Sequence, residues 1–499
     1  MDRRPPNFLV VVFDALRASD FPGGWDAVDQ MPFVRSLQKS AWVFPNAVTP
    51  ASWTVPSHAS LLTGLYPWEH GAHGQASITL APSVPRLSSL LRKEGYRSGL
   101  FAANGFLAPP YGLAEGFDTV AWGGWWERYL RVPTSVAPFE QVDGEERASG
   151  AWAARMGGVR RRESSLLVRA THHLDRYPWV SDTAGRLALQ LRAPGSPRDV
   201  RISTWIEPRL EQWISGLPKT TPFFALLNIQ DTHDPFFPGP EQATGLRDRW
   251  ALLRVRQDLL GALVGRWTPT TEELRVLHEL YRWTVRRLDG RVRRLVEILQ
   301  ATQRWDNTWL ILTSDHGQAF GEEGYYLHYC GISEGIQRIP LWVRPPGGEA
   351  GASRTRGLAS LVDLAPLVLR ESGSRATVTT SGANLRELRD HERPGPVLSV
   401  NDGLFWEHMV RWAGPAARHR LSRSQVAAYQ GDMRWTVTSP GDQIEAVRLP
   451  PGMGDPEPGS APPSPEAVAL ARRGLEGLRS VQTERGPEID RRLRSWGYV

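Results

Sequence analysis

Three nearly continuous apolar runs stand out along the chain, at Asn7–Phe13, Phe223–Ile229 and Thr308–Thr313. Each run is rich in β-branched and aromatic residues and lacks the alternation of a strand with one solvated face. The runs therefore predict strands that are covered on both sides. Such strands belong to a mostly parallel sheet between helices, and Arg97–Ala103 predicts another member of it. The pattern favours an α/β fold.

Helical spacing is clearest after Thr270-Thr271-Glu272-Glu273, a capping box that precedes apolar residues three and four positions apart as far as Leu299. We interpret this apolar stripe as a face that packs in the core. Shorter helices are predicted over Met31–Gln38, Val84–Glu94 and Leu358–Leu369.

Acidic and imidazole side chains follow each of the three apolar runs. Asp14 follows the first run, Asp231-Thr232-His233-Asp234 comes after the second, and Ser314-Asp315-His316-Gly317 follows the third. Ligands of α/β folds gather at the carboxyl ends of the strands. These side chains are therefore expected to converge on one site.

A hydroxyl residue, Thr54, precedes a helix that the sequence predicts from Pro56 to Leu62, since proline suits a first helical turn. Free backbone N–H groups and the helix dipole favour an anion at this place and ease deprotonation of a hydroxyl. A lone threonine near a helix start is more often only a cap. The interpretation of Thr54 as a nucleophile therefore depends on the acidic strand ends.

In type and order, these segments resemble the sulfatase-like branch of the alkaline phosphatase superfamily. Its members show a strand ending in Asp, a Cys/Ser/Thr-x-Pro-x-Arg nucleophile motif, an Asp-x-His-x-Pro segment, a Ser-Asp-His-Gly segment and a later His before an Arg-Val-Pro-Leu-like strand. The corresponding residues here are Phe13-Asp14, Thr54-Val55-Pro56-Ser57-His58, Asp231-Thr232-His233-Asp234-Pro235, Ser314-Asp315-His316-Gly317, and His328 before Arg338-Ile339-Pro340-Leu341. The resemblance implies a sandwich with a large mixed, mostly parallel sheet between helices, and a smaller carboxyl-terminal sheet.

The chain departs from that pattern at the nucleophile. Formylglycine-dependent members oxidise a Cys or Ser, which Thr54 cannot replace, and the only cysteine, Cys330, lies elsewhere. His58 stands where the motif has arginine, and the second Asp of the usual Asp-Asp pair is absent, since Phe13 precedes Asp14. The resemblance therefore implies a member with an unmodified threonine nucleophile, acting on a small-molecule, glycan or lipid ester, with phosphate esters ahead of sulfate esters.

The resemblance also implies the roles of the site residues. One divalent ion (Ca, Mg, Mn or Zn) is expected to be held by four residues: Asp14, Thr54, Asp315 and His316. The ion would lower the pKa of the Thr54 hydroxyl, and attack on the ester would give a covalent threonine intermediate. The anion would be bound by three histidines: His58, His233 and His328. His233 and His328 would also protonate the leaving oxygen.

Other interpretations remain open for several of these residues. Asp14 and the Ser314–Gly317 segment are also compatible with simple turns, and His328 with a core histidine. His58 is compatible with a solvent-facing position on its helix. Asp231 is compatible with a second metal site beside His233. For the whole chain, the alternative is a degenerate family member that binds an anion without turnover.

Charge adds little to this picture. The formal net charge is +6 and the basic residues are dispersed, with Arg160-Arg161-Arg162 as the one short cluster. A nucleic-acid partner is therefore not favoured, although a basic surface would help to attract an anionic substrate.

The chain is long enough for one large α/β domain with a smaller second part. We predict a catalytic domain over residues 1–375, with a Trp- and Arg-rich insertion at about 105–221 that covers the site, and a carboxyl-terminal subdomain over 376–499. The latter includes a Pro/Gly linker at 450–465 and a charged helical tail. From the sequence we expect no membrane span and no separate signal peptide, and the single cysteine favours a cytoplasmic protein.

Overall fold

The computed structural model describes twelve parts of the chain: residues 4–22, 31–74, 78–123, 140–143, 203–234, 236, 259–349, 355, 357–402, 413–449, 457–459 and 464–480. Within these parts the strands, numbered in chain order, form an eight-stranded sheet, a five-stranded sheet and two pairs of very short strands.

The large sheet is mixed and mostly parallel. Its strands, in order across the sheet, are β2 (Trp42–Val43), β11 (Leu341–Arg344), β8 (Thr308–Thr313), β1 (Asn7–Phe13), β7 (Phe223–Ile229), β4 (Arg97–Ala102), β5 (Thr119–Trp122) and β6 (Glu140–Asp143). The five strands from β8 to β5 are parallel, whereas β11, β2 and β6 pair in the antiparallel sense. Every residue of β1, β7 and β8 is buried, so both faces of the sheet centre are covered.

The small sheet is antiparallel and lies in the carboxyl-terminal part of the chain. Its strands are β13 (Val397–Asp402), β14 (Ser424–Gln430), β15 (Met433–Ser439), β16 (Gln443–Arg448) and β17 (Glu457–Pro458). The helix Pro465–Ser480 packs against β14 and β15. Together the two sheets confirm the predicted fold class.

The edge of the small sheet is joined to the loop before Thr54. The Ser52 amide donates to the Val400 carbonyl at 3.2 Å, and the Val400 amide donates to the Pro50 carbonyl at 2.9 Å.

The remaining strands of the described residues are two short pairs: β3 (Ala47–Val48) with β12 (Ala359–Ser360), and β9 (Ala319–Phe320) with β10 (Tyr326–Leu327).

Among the described residues, one helix dominates. It runs over Thr271–Ala301, and Thr270 and Glu273 form the predicted capping box at its start. The other α-helices are Pro32–Leu37, Thr54–Thr63, Pro67–His70, Leu87–Lys93, Ile206–Gly216, Leu259–Leu263, Glu334–Gln337, Leu364–Glu371, Leu385–Asp390, Pro415–Leu421 and Pro465–Ser480.

The predicted short helices have different bounds in the structure. Pro32–Leu37 is one residue shorter at each end than predicted, and the helix predicted from Val84 begins only at Leu87. The helix predicted from Pro56 begins two residues earlier, at Thr54, because the Trp53 carbonyl already accepts a hydrogen bond from the Ser57 amide. The helix predicted over Leu358–Leu369 begins as strand β12 and a 3-10 turn, where Asp363 bonds the Ser360 amide, and becomes α-helical only at Leu364.

Much of the predicted insertion at 105–221 lies outside the described residues. Its described ends contribute to the main domain, since β5 pairs with β4 and the helix Ile206–Gly216 packs on β4 and on the long helix. The proposed cover of the site and most of the linker at 450–465 also lie outside the described residues, as does the tail beyond Ser480. The domain boundary at 375 stays a prediction.

Candidate active site

The candidate site lies at the carboxyl ends of four neighbouring strands, β8, β1, β7 and β4. The parallel register places Val12 beside Thr313 and Phe13 beside Ile229, so the residues that follow these strands emerge side by side. Asp14 follows β1, and Asp315 lies two residues beyond β8. The convergence predicted from the strand ends is therefore observed.

Three of the predicted ligands form one buried cluster. Donor atoms of Asp14, Asp315 and His316 lie within 4.8 Å of one another. His316 Nε2 is 3.7 Å from Asp14 Oδ1, 3.4 Å from Asp315 Oδ2 and 3.5 Å from the fourth predicted ligand, the Thr54 hydroxyl. All four side chains are buried, with Thr54 only 3% exposed.

The carboxylates of this cluster are left without a full set of partners. Asp14 Oδ1 and Asp315 Oδ2 have no hydrogen-bond partner among the described residues. Burial and the neighbouring charge of Asp14 raise the pKa of Asp315 well above its ordinary value. Buried charges are normally paired or bound to a metal ion, and a divalent cation between these two oxygens would remove the repulsion. The residues present therefore fit a divalent ion.

His316 has the tautomer and the charge state that a metal ligand needs. Its Nδ1–H donates to the Gly317 carbonyl at 3.0 Å, which leaves the lone pair of Nε2 directed at the cluster. Burial lowers the pKa of His316 to about 4, so the imidazole is neutral near pH 7.

Thr54 is the first residue of the helix Thr54–Thr63, and its side chain lies against the ligand cluster. Pro56, the third helical residue, lies in the first turn, where its missing N–H costs no helical hydrogen bond. The Thr54 hydroxyl accepts a hydrogen bond of 3.2 Å from Asn104 Nδ2. Its oxygen is thus fixed between an amide donor and the carboxylate cluster.

Sequence reasoning missed the two asparagines that contact Asp14. Asn104 Nδ2 donates to Asp14 Oδ2 at 2.7 Å, and Asn228 Nδ2 donates to the same oxygen at 3.2 Å. Burial alone would raise the pKa of Asp14, but the charge of His233, together with these hydrogen bonds, lowers it below its ordinary value. Asn104 follows β4 as the acidic residues follow their strands, so the same strand-end argument applied to β4 identifies it.

His233 and His328 lie beside the cluster, as the resemblance implied. Their ring centroids are 4.9 Å apart, and His328 stacks on His316 at 4.1 Å. Although burial opposes its charging, Asp234 and Asp14 raise the pKa of His233 above its ordinary value. By contrast, burial and the other two imidazoles lower the pKa of His328 well below that value. The pKa values of the two histidines are therefore shifted in opposite directions.

The interpretation of His58 as a solvent-facing residue is wrong, because its side chain is completely buried. His58 Nδ1 lies 2.9 Å from the Thr54 carbonyl oxygen and 3.6 Å from Asp315 Oδ2. The structure thus places His58 behind the nucleophile and next to a predicted metal ligand. Its role in binding substrate stays a prediction.

Asp231 is not the carboxylate that accompanies His233. Asp231 Oδ2 pairs with Arg291 of the long helix at 2.7 Å, and the same guanidinium also bonds Glu207. The neighbouring carboxylate is Asp234, whose donor atoms group with those of His233 and His328. Spacing alone did not distinguish Asp231 from Asp234, since both lie within three residues of the histidine.

Two curated proteins are similar to this chain over most of its length. The choline-sulfatase of Rhizobium meliloti (strain 1021) is 24% identical over 412 residues, which cover 79% of this chain and 73% of the relative. A multifunctional alkaline phosphatase superfamily protein of Trinickia caryophylli is 24% identical over 430 residues, which cover 78% of this chain and 78% of the relative.

Among the described residues, no helix combines the length and the apolar composition that a membrane span requires.

Solved structures show the same fold. The phosphonate monoester hydrolase from Silicibacter pomeroyi superimposes with a TM-score of 0.62 at 18% sequence identity, covering 95% of this chain and 94% of the other. The family model described as Sulfatase matches residues 6–374, from the first strand of the large sheet to the end of the predicted catalytic domain. The chain therefore belongs to the sulfatase family.

Proposed function

We propose that this sulfatase-family protein is a metal-dependent hydrolase of phosphate or sulfate esters that uses unmodified Thr54 as its nucleophile. The supporting observation is the position of Thr54 Oγ1, which lies 3.5 Å from His316 Nε2 and 3.2 Å from Asn104 Nδ2 beside two incompletely paired carboxylates. Such a hydroxyl is held at a helix start, oriented, and next to ligands for an ion that would activate it.

The ligand set of this site consists of Asp14, Asp315, His316 and Thr54 itself. A bound divalent ion would supply Lewis acidity, lowering the pKa of the threonine hydroxyl and offsetting charge on a non-bridging ester oxygen. Asn104 holds the Thr54 oxygen in place and, with Asn228, holds Asp14 in its ionised form. The residues thus orient both the nucleophile and a ligand.

In the first half-reaction the Thr54 oxygen bonds to phosphorus or sulfur as the bond to the leaving oxygen breaks. The hydroxyl proton is released to solvent, and His233, whose pKa is raised by Asp234 and Asp14 despite its burial, donates a proton to the leaving oxygen. His328 contacts the anionic group of the ester. The negative charge of the substrate favours the protonated imidazole, so His328 takes up a proton when the substrate binds.

The second half-reaction frees Thr54. Water attacks the phosphorus or sulfur and gives a proton to the now neutral His233, and the threonine oxygen leaves and regains a proton from solvent. An acceptor alcohol in place of water makes the same step a transfer reaction. The sum is ester plus water giving alcohol and phosphate or sulfate, with the protein unchanged.

We favour phosphate and phosphonate esters over sulfate esters because Thr54 cannot be converted to formylglycine. The test is a panel of aryl phosphate monoesters, diesters, phosphonates and sulfates with several divalent ions, run on the protein and on Thr54→Ala. Turnover of a phosphorus ester that Thr54→Ala abolishes supports the proposal. Turnover of sulfates alone contradicts the preference, and tight anion binding without turnover of any ester indicates a degenerate binding protein.

A further inference from the structure

The segment that carries His328 is a tight hairpin with unusual backbone conformations. Strands β9 and β10 pair across a short turn, and His328 follows directly after β10. Leu327, immediately before it, has φ 62°, and Glu323 in the turn has φ 52°. Non-glycine residues adopt this left-handed region only where the surrounding contacts enforce it. Contacts with neighbouring elements must therefore hold this hairpin.

One arginine of the small sheet bonds to both sides of the hairpin segment. Arg434, in β15, is 1% exposed. Its Nη2 lies 2.8 Å from Glu323 Oε2, in the hairpin turn, and its Nη1 lies 2.8 Å from Glu334 Oε1, at the start of the helix that follows. His328 lies between these two carboxylates along the chain. The guanidinium thus joins the segment before His328 to the segment after it.

Other bonds reinforce the same arrangement. Glu334 also accepts from Arg338 at 2.8 Å and from the Tyr429 hydroxyl at 3.3 Å. Glu322, next to Glu323, pairs with Arg17 at 2.6 Å, and Arg17 lies three residues beyond Asp14. His328 Nδ1 itself donates to Gln318 Oε1 at 2.8 Å, just before β9. The hairpin is therefore anchored to the small sheet and to the loop after Asp14.

We propose that Arg434 is a positioning residue for His328, through which the small carboxyl-terminal sheet fixes one wall of the active site. The inference rests on the proposed function only in that His328 contacts the ester. Arg434 touches none of the candidate ligands, so it acts through the placement of the imidazole between His316 and His233.

The geometry requires a guanidinium rather than any cation. Arginine presents several N–H donors in a rigid fork, and here two of its nitrogens serve two different carboxylates. A lysine ammonium at the end of a flexible chain keeps the charge but not this fixed double contact. Arg434→Lys therefore loosens the hairpin while limiting the cost of an unpaired buried carboxylate, and Glu323→Gln removes only one side of the contact.

A matched control is available in the same chain. Arg393 is a similarly buried arginine, 7% exposed at its side chain, and it binds the two oxygens of buried Asp363 at 2.7 and 3.0 Å. Asp363 caps a helix and bonds no residue of the His328 hairpin in the described contacts. Arg393→Lys therefore reports the general effect of loosening a buried arginine pair.

The first measurement is kcat/KM for the best ester of the panel, in the wild-type and His328→Ala backgrounds. Arg434→Lys and Glu323→Gln are expected to lower it by about tenfold to a hundredfold in the wild type, the range for small misplacements of site residues. In His328→Ala neither change should lower it further. Arg393→Lys should change it by less than about threefold in either background. Equal losses from Arg434→Lys in both backgrounds would overturn the proposal.

The second measurement does not depend on turnover. In protein labelled with ¹⁵N-histidine, Arg434→Lys is expected to shift the imidazole resonances of His328 while leaving those of His70, a buried histidine bonded to Ser60, in place. Arg393→Lys should leave the His328 resonances in place. If no ester is hydrolysed, the proposed function fails and this spectrum alone decides the positioning role. Unchanged His328 resonances in Arg434→Lys would refute that role.

Discussion

Asn104→Ala isolates the contact between a metal ligand and the nucleophile. The substitution removes the 2.7 Å hydrogen bond to Asp14 Oδ2 and the 3.2 Å hydrogen bond to the Thr54 hydroxyl. It also removes the bond from the Phe106 amide to Asn104 Oδ1, which caps a short 3-10 turn. The first two losses concern chemistry, and the third concerns stability.

The magnitude follows from the type of each bond. A hydrogen bond to a charged group contributes about 1.5–3 kcal/mol and one to a neutral group about 0.5–1.5 kcal/mol. If both act in the transition state, the barrier rises by roughly 2–4.5 kcal/mol, since contributions of this kind range widely. At about 1.4 kcal/mol per factor of ten, kcat should fall by roughly 30-fold to 1,600-fold. Loss of the cap should cost about 1 kcal/mol of unfolding free energy.

Asn228→Ala is the matched control. Asn228 donates to the same Asp14 oxygen at 3.2 Å but makes no hydrogen bond to Thr54. Both variants should weaken metal binding by about 10-fold to 100-fold, as is typical for partners of metal ligands. At saturating metal, however, Asn104→Ala should show the larger loss of kcat, because it also removes the hydrogen bond to the Thr54 hydroxyl.

The assay is steady-state turnover of an aryl ester over a metal titration, with unfolding in urea measured in parallel. Equal kcat values for the two variants at saturating metal would refute the argument that Asn104 orients the nucleophile. Wild-type metal affinity in both variants would refute their role in holding Asp14.

Three further predictions concern the metal, the acid and the buried ion pairs. The wild-type protein should contain about one metal ion per chain, and Asp315→Ala should contain only a trace, as measured by mass spectrometry of metals. Two ions per wild-type chain would indicate a second metal site at His233. Activity that needs protonated His233 should be lost as pH rises through its pKa, which lies above 6.5, and His233→Gln should abolish that limb of the profile. Despite burial, Arg17 lowers the pKa of Glu322 below 4.5, and His278 and Arg17 lower the pKa of Asp20 below 3.8. The stability that these two carboxylates contribute is therefore present above those values, and urea unfolding should show it falling as the pH drops below them.

Four neighbouring strands of the large sheet, β8, β1, β7 and β4, were predictable because their sequence signal is local. Asn7–Phe13, Phe223–Ile229 and Thr308–Thr313 have the predicted bounds, and Arg97–Ala103 is one residue too long. A strand covered on both faces needs apolar residues at nearly every position, so the ends of the apolar run mark the ends of the strand. The acidic residues at those ends were then placed by the general rule for parallel sheets.

The remaining features depend on contacts between distant parts of the chain. Asn104 meets Asp14 across 90 positions, and Arg434 meets Glu323 across 111. An asparagine after a strand or an arginine within one has many ordinary roles, so neither residue type reveals its partner. The choice between Asp231 and Asp234 likewise depended on Arg291, which pairs with the first. Local sequence patterns predict helices, strands and the residues that follow the strands. Which distant side chains pair with one another is known only from the folded structure.

The central claim is that Thr54 forms a covalent bond with the substrate, and an acid-quenched reaction tests it most directly. Thr54→Ser should slow breakdown or formation of the adduct yet keep an oxygen nucleophile, and Thr54→Ala should keep the fold at a cost of about 1 kcal/mol. Peptide mass spectrometry of the quenched wild type is predicted to find a phosphoryl or sulfuryl group on Thr54 and none in Thr54→Ala. Wild-type turnover by Thr54→Ala, with no adduct in either protein, would contradict the account.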